Sequence, residues 1–67
     1  MAVLKVIEVL AESPTSWEEA AREAVAEASR TVRGIRSIYV ENFQATVRDG
    51  TIDNFRVNAK ITFEVDS

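Results

Sequence analysis

Two alternating runs meet at Arg48-Asp49-Gly50-Thr51, and this turn constrains the chain more than any other feature of its sequence. Asp-Gly is the preferred central pair of a type I′ turn, which joins antiparallel strands through two residues and so fixes their register. The spacing sets Arg48 against Thr51, Gln44 against Phe55, Asn42 against Val57, Val40 against Ala59 and Ile38 against Ile61, unless a bulge intervenes. In the second run Phe55, Val57, Ala59, Ile61, Phe63 and Val65 alternate with Asn54, Arg56, Asn58, Lys60, Thr62 and Glu64. A period of two turns the apolar set toward a core. The same alternation gathers Ser37, Tyr39, Glu41, Phe43, Ala45 and Val47 with Ile52, Arg56, Asn58 and Lys60 on the opposite face. That face is amphipathic and larger than a monomer normally leaves to water, which marks it for assembly and ligand binding.

The upstream segment supplies the other elements. Val3 to Leu10 reads V-L-K-V-I-E-V-L, a β-branched strand with Lys5 on one side and Glu8 on the other, expected to be at least half buried on both. Glu12-Ser13-Pro14-Thr15-Ser16 reads as a turn, because Pro14 cannot continue a strand ladder. Ser16 and Glu19 have capping-box spacing, and Glu18 and Glu19 suit the positive end of a helix dipole. From there Trp17, Ala20, Ala21, Ala24, Val25, Ala28 and Val32 recur with helical period, with Arg30 and Arg33 late and Gly34 as the expected residue after the helix. The order is β-α-β-β in one domain spanning residues 1–67. The expected fold is α+β, a three-stranded antiparallel sheet wrapped on one helix: if the crossover skips one position, the third strand pairs between the first and second and the sheet is wholly antiparallel.

Size then decides how such a fold is stabilised. A chain of 67 residues buries only about 60% of the surface it exposes when unfolded. The helix offers mostly alanine, so its core is thin. Neither Cys nor His occurs, which removes disulfides and structural zinc as staples and leaves oligomerisation. The same absence excludes thiol nucleophiles, Ser-His triads and imidazole acid-base chemistry, so the chain reads as non-enzymatic. Eight Lys and Arg against eleven Asp and Glu give a net charge of −3. No basic stripe is present to release counterions, so a nucleic-acid partner is not expected. No apolar run approaches the roughly 18 residues of a membrane span. No signal-peptide pattern opens the chain, so no membrane partner and a cytoplasmic location are expected.

Order, length, the S-P-T-S-W-E-E-A segment and the N-F-R-V-N-A-K-I-T-F-E-V ending together resemble the dodecins along nearly the whole chain. The resemblance implies a hollow homododecamer that binds, stores or buffers a small ligand. Flavin-binding members stack the flavin ring on a tryptophan early in the second strand and hold its edge with a glutamine in the third. Those positions match Ser37 and Arg56 here, and Thr46 falls where relatives place a ribityl-contacting side chain. Serine has no π face, and arginine only donates hydrogen bonds, so binding of riboflavin or FMN is expected to be weak. The chain is more similar to a second subgroup, which lacks the stacking tryptophan and includes calcium-binding members. No EF-hand pattern is present to say where calcium would sit.

Several side chains have two readings. Arg56 suits an anion, or a salt bridge between subunits with Glu41 as its partner. Tyr39 and Phe43 suit a ligand wall or a subunit interface. Trp17 suits a core or interface edge, and Glu41, Asp49, Asp53 and Glu64 suit a solvated rim or symmetry channels that collect cations.

Overall fold

A computed structural model describes residues 2–65, in the order β1 (Val3–Ser13), α1 (Trp17–Ala28), β2 (Ile35–Arg48) and β3 (Thr51–Val65). The sheet order is β1-β3-β2, and both pairings are antiparallel. Asp49 and Gly50 take φ of 50° and 78°, the left-handed pair that a type I′ turn requires. β1 joins this hairpin along the free edge of β3, so the helical crossover carries the chain past β3 to β2.

β1 runs further than expected, to Ser13, so Glu12 and Ser13 belong to the strand and the turn begins at Pro14. The Ser13 hydroxyl accepts a hydrogen bond from the Thr15 N–H at 3.0 Å and closes the corner. Ser16 caps α1 by accepting from the Glu19 N–H at 3.0 Å. The Glu19 carboxylate turns outward to Arg22, at 3.2 Å, so only half of the capping box forms.

The helix is shorter than its apolar period suggests. It ends at Ala28, where the Ser29 hydroxyl donates to the Val25 carbonyl and the Val32 N–H to the Ala28 carbonyl. Ser29, Thr31 and Val32 are weaker helix formers than the alanine run before them. Arg30 and Arg33 therefore lie past the helix, and Gly34 is not its terminating residue. Gly34 has a different task. Its φ is 74°, its carbonyl accepts from the Glu64 N–H at 2.9 Å, and a Cβ there would lie 3.0 Å from the Glu64 carbonyl oxygen.

Register explains which side chains meet the helix. Arg48–Thr51, Val40–Ala59 and Ile38–Ile61 pair as the turn dictates, but Gln44 lies opposite Arg56 and Asn42 opposite Asn58. Three bulges cause the difference, leaving Asp53 of β3 and Glu41 and Arg36 of β2 without a partner in the ladder. The first two are on opposite strands and cancel, so only the segment between them is shifted. Phe43 and Ala45 consequently pair with Val57 and Phe55 and face the helix, where alternation alone put them on the back. Each bulged residue is charged and makes an ion pair: Arg36 with Glu64, Glu41 with Lys60 at 3.5 Å, and Asp53 with Arg48 at 3.7 Å.

The core is small. Among the described residues the buried apolar side chains are Ala20, Ala24, Val57, Ala59 and Ile61. Trp17 extends this core along the hairpin. Its ring meets Phe55 and Phe43 edge-on, with centroids 4.9 and 5.9 Å away, and its Nε1–H donates to the Gln44 carbonyl at 2.7 Å. α1 packs mainly over β1 and β3. Its 12 residues span about 18 Å, against a molecule 51 Å long. The radius of gyration, 13.7 Å, exceeds the roughly 11 Å of a compact chain of this length.

Two measurements check these contacts. Gly34→Ala is expected to cost more stability than Gly50→Ala: both forfeit about 1–2 kcal/mol for a left-handed residue, but only Gly34 also meets backbone. Trp17→Phe is expected to cost roughly 0.5–1.5 kcal/mol through the lost Nε1 hydrogen bond. Urea unfolding midpoints of the three variants would show equal losses at the two glycines, or none at Trp17, if these contacts were unimportant.

Candidate functional site

The face of the sheet turned away from α1 is where polar side chains and uncovered apolar ones meet. Residues directly opposite one another in antiparallel strands share a face, so the register assigns its rows. Glu12, Arg56 and Gln44 form one row across the sheet, Leu10, Asn58 and Asn42 the next, then Glu8, Lys60 and Tyr39, then Val6, Thr62 and Ser37. Leu4, Val6, Leu10 and Tyr39 are each more than half exposed. Both faces of β1 were expected to be at least half covered. Within one chain the outer one is open.

The cations on this face, Arg56 and Lys60, are paired within the chain. Arg56 Nε donates to Glu12 Oε2 at 2.6 Å, and the guanidinium also engages that oxygen through a terminal nitrogen. The Arg56 partner is thus Glu12 of its own chain, while Glu41 binds Lys60 instead. Glu12 was missed as a member of this face because the turn was expected to begin there. Continuing the β1 alternation through Leu10 to Glu12 is the signal that finds it. Asn58 Nδ2 donates weakly to Asn42 Oδ1 at 3.5 Å, and its buried Oδ1 has no partner. Whichever way that amide is turned, one end stays unsatisfied, at a cost of about 1–3 kcal/mol.

Ser37, Thr46 and Arg56 all lie on the back face, opposite Thr62, Asn54 and Gln44. One chain brings Thr46 and Arg56 to diagonal positions on the sheet but leaves Ser37 far from both. Thr62 and Arg56 are separated by six steps of β3, so Ser37 and Arg56 stand about 20 Å apart along the sheet at 3.3 Å per residue. Thr46 is half-buried, and its Oγ1 accepts from the Asn54 N–H at 3.0 Å, which holds the adjacent bulge. Phe43 and Trp17 are engaged with each other on the helix side. Tyr39 is therefore the aromatic that the back face presents.

These residues fit a flavin poorly within one chain: Ser37 supplies no stacking surface, and the Nε–Nη2 edge of Arg56 is already engaged by Glu12. Calcium fares no better. Among the described residues no three of His, Cys, Asp and Glu are grouped to hold a metal ion, whereas calcium takes six to eight oxygens. No helix is long and apolar enough to cross a membrane. Between β1 and α1 lies an open groove of about 690 Å³, floored by Ile7, Val9, Ala11, Ala24 and Ala28 and rimmed by Glu19, Glu23 and Glu27.

Comparison with known proteins agrees with this architecture. A structure of dodecin from Streptomyces coelicolor superposes with a TM-score of 0.94 at 29% identity, covering 98% of this chain and 94% of that one. The calcium dodecin of Mycobacterium tuberculosis is 37% identical over 65 residues, which is 97% of this chain and 92% of the relative. Its crystal structure, described as having a novel calcium-binding site, superposes with a TM-score of 0.83 at 38% identity and covers 96% and 91% of the two chains. The family model named Dodecin matches residues 3–66. With fold, length and sequence in agreement from end to end, the chain belongs to the dodecin family.

Proposed function

We propose that this dodecin is a non-catalytic homododecameric shell, acting in the cytoplasm, that binds, stores or buffers a small ligand on the back faces of its sheets, and that its affinity for flavin is low. The observation that carries this reading is the open back face. It combines uncovered Leu4, Val6 and Leu10 on β1 with a hydrogen-bonding row on β2 and β3. The apolar row is the surface we assign to contacts between copies, since burying it stabilises by about 25 cal/mol per Å². The polar row is the surface we assign to ligand.

A second copy would also relieve the separation of Ser37 from Arg56, by placing one chain's Ser37 near its neighbour's polar row. Tyr39, exposed on the back face, supplies a weaker aromatic platform than a tryptophan would, and the exposed Gln44 and Asn42 amides offer hydrogen bonds to a ligand. Arg56 and Thr46 contribute less than the family pattern implies, because Glu12 and the Asn54 N–H already occupy them.

Calcium is the second reading, favoured by the 37% identity to calcium dodecin. Since one chain offers no acidic cluster among its described residues, the ion would take oxygens from more than one copy or from main-chain carbonyls.

Riboflavin and FMN titrated against the protein are expected to give weak quenching of flavin fluorescence that does not saturate at micromolar protein, weakened further by Tyr39→Ala. Tight, saturable quenching would overturn the low-affinity reading. Calorimetry with calcium, repeated after chelation, decides the alternative: saturable heat that chelator abolishes supports it, and no heat removes it.

A further inference from the structure

Arg56 sits on the middle strand of the back face with its side chain about one third exposed, yet both of its engaged nitrogens converge on a single oxygen of Glu12. Glu12 lies directly opposite on β1, so the pair is set by register rather than by a chance excursion of long side chains. A free guanidinium at this place would be a phosphate site, because its planar fork matches phosphate oxygens. We propose that Glu12 sets the charge of the ligand that the back face accepts: by holding Arg56 in a closed ion pair it neutralises this row and excludes phosphate-bearing ligands. The inference rests on the reading above that the back face takes the ligand.

The neighbouring charges strengthen the exclusion. Lys60 is held by Glu41 and faces Glu8, and Arg36 is held by Glu64. With the Arg48–Asp53 pair included, the back face and its bulges thus carry four cations, Arg36, Arg48, Arg56 and Lys60, against five carboxylates, Glu8, Glu12, Glu41, Asp53 and Glu64. An approaching phosphate meets a net negative surface and must displace a carboxylate to reach the Nε–Nη2 edge of Arg56. Uncharged hydrogen-bonding groups meet neither obstacle, and the amides of Gln44, Asn42 and Asn58 lie in the same and the adjacent row.

Glu12→Gln keeps the size of the side chain, removes its charge and frees the guanidinium. The assembled variant and parent are compared by phosphorus NMR of inorganic phosphate and by calorimetry with FMN and riboflavin, which differ by one phosphate. Phosphate resonances are expected to broaden with E12Q and not with the parent. The preference for FMN over riboflavin should rise about tenfold, the worth of one charge-assisted hydrogen bond. Both gains should vanish in the E12Q/R56Q double variant, and Glu12→Ser should reproduce them, which guards against a folding defect peculiar to one substitution. Phosphate broadening without flavin binding would support the role of Glu12 while counting against a flavin-type ligand. Equal phosphate response in parent and E12Q, or a gain that survives loss of Arg56, would overturn the proposal.

Discussion

One short helix faced with alanine must cover a sheet nearly three times its length, and it cannot. Three of the five buried apolar residues are alanines, and the larger buried side chains, Val57 and Ile61, both come from β3. Alanine lets the helix lie close to the sheet but contributes little area there. The accessible surface is 5035 Å², where a compact monomer of this mass exposes about 4,250 Å². Among the described residues the exposed large apolar side chains are Leu4, Val6 and Leu10 on the back of β1, Tyr39 on the same face of β2, Val3 and Phe43 on the helix side, and Val47 and Ile52 near the hairpin tip. Under the proposed function, further copies of the chain would cover this surface and enclose the back face with it.

The bulges give the sheet the asymmetry on which its site depends. Extra residues in an antiparallel strand bend it and increase its twist, and here Asp53, Glu41 and Arg36 are each pinned by an ion pair. Such exposed pairs contribute about 0–1 kcal/mol apiece, so their effect is positional more than energetic. The two opposed bulges at Asp53 and Glu41 carry Phe43 over to the helix side, where it meets Trp17, and leave Gln44 and Asn42 on the back face beside Arg56 and Asn58. A hydrophobic contact at the helix N-terminus and a polar row on the far side thus have one geometric cause.

Much of this was legible in the residues. The Asp49-Gly50 turn, the order of elements along the chain, the apolar side of β3 and the Ser16 cap follow from turn chemistry and period alone. The displaced segment did not, because E-N-F-Q alternates equally well in either phase and two cancelling bulges leave the register beyond Val40 unchanged. The end of the helix was misjudged because Val32 keeps the helical spacing after the backbone has turned toward β2. At the candidate site the face of Ser37 and Arg56 was readable, but not that the bulges turn Thr46 onto it, nor how far Ser37 stands from the other two along the sheet, nor that Glu12 holds Arg56. The first is a matter of register, the second of long strands and the third of where β1 stops.

The central claim, that a lone chain leaves too much of its sheet uncovered, is tested most directly by native mass spectrometry of the protein at dilute concentration. The account predicts a closed assembly of twelve chains, with no folded species of one chain surviving heating. A heat-resistant folded monomer near 7.5 kDa would contradict it.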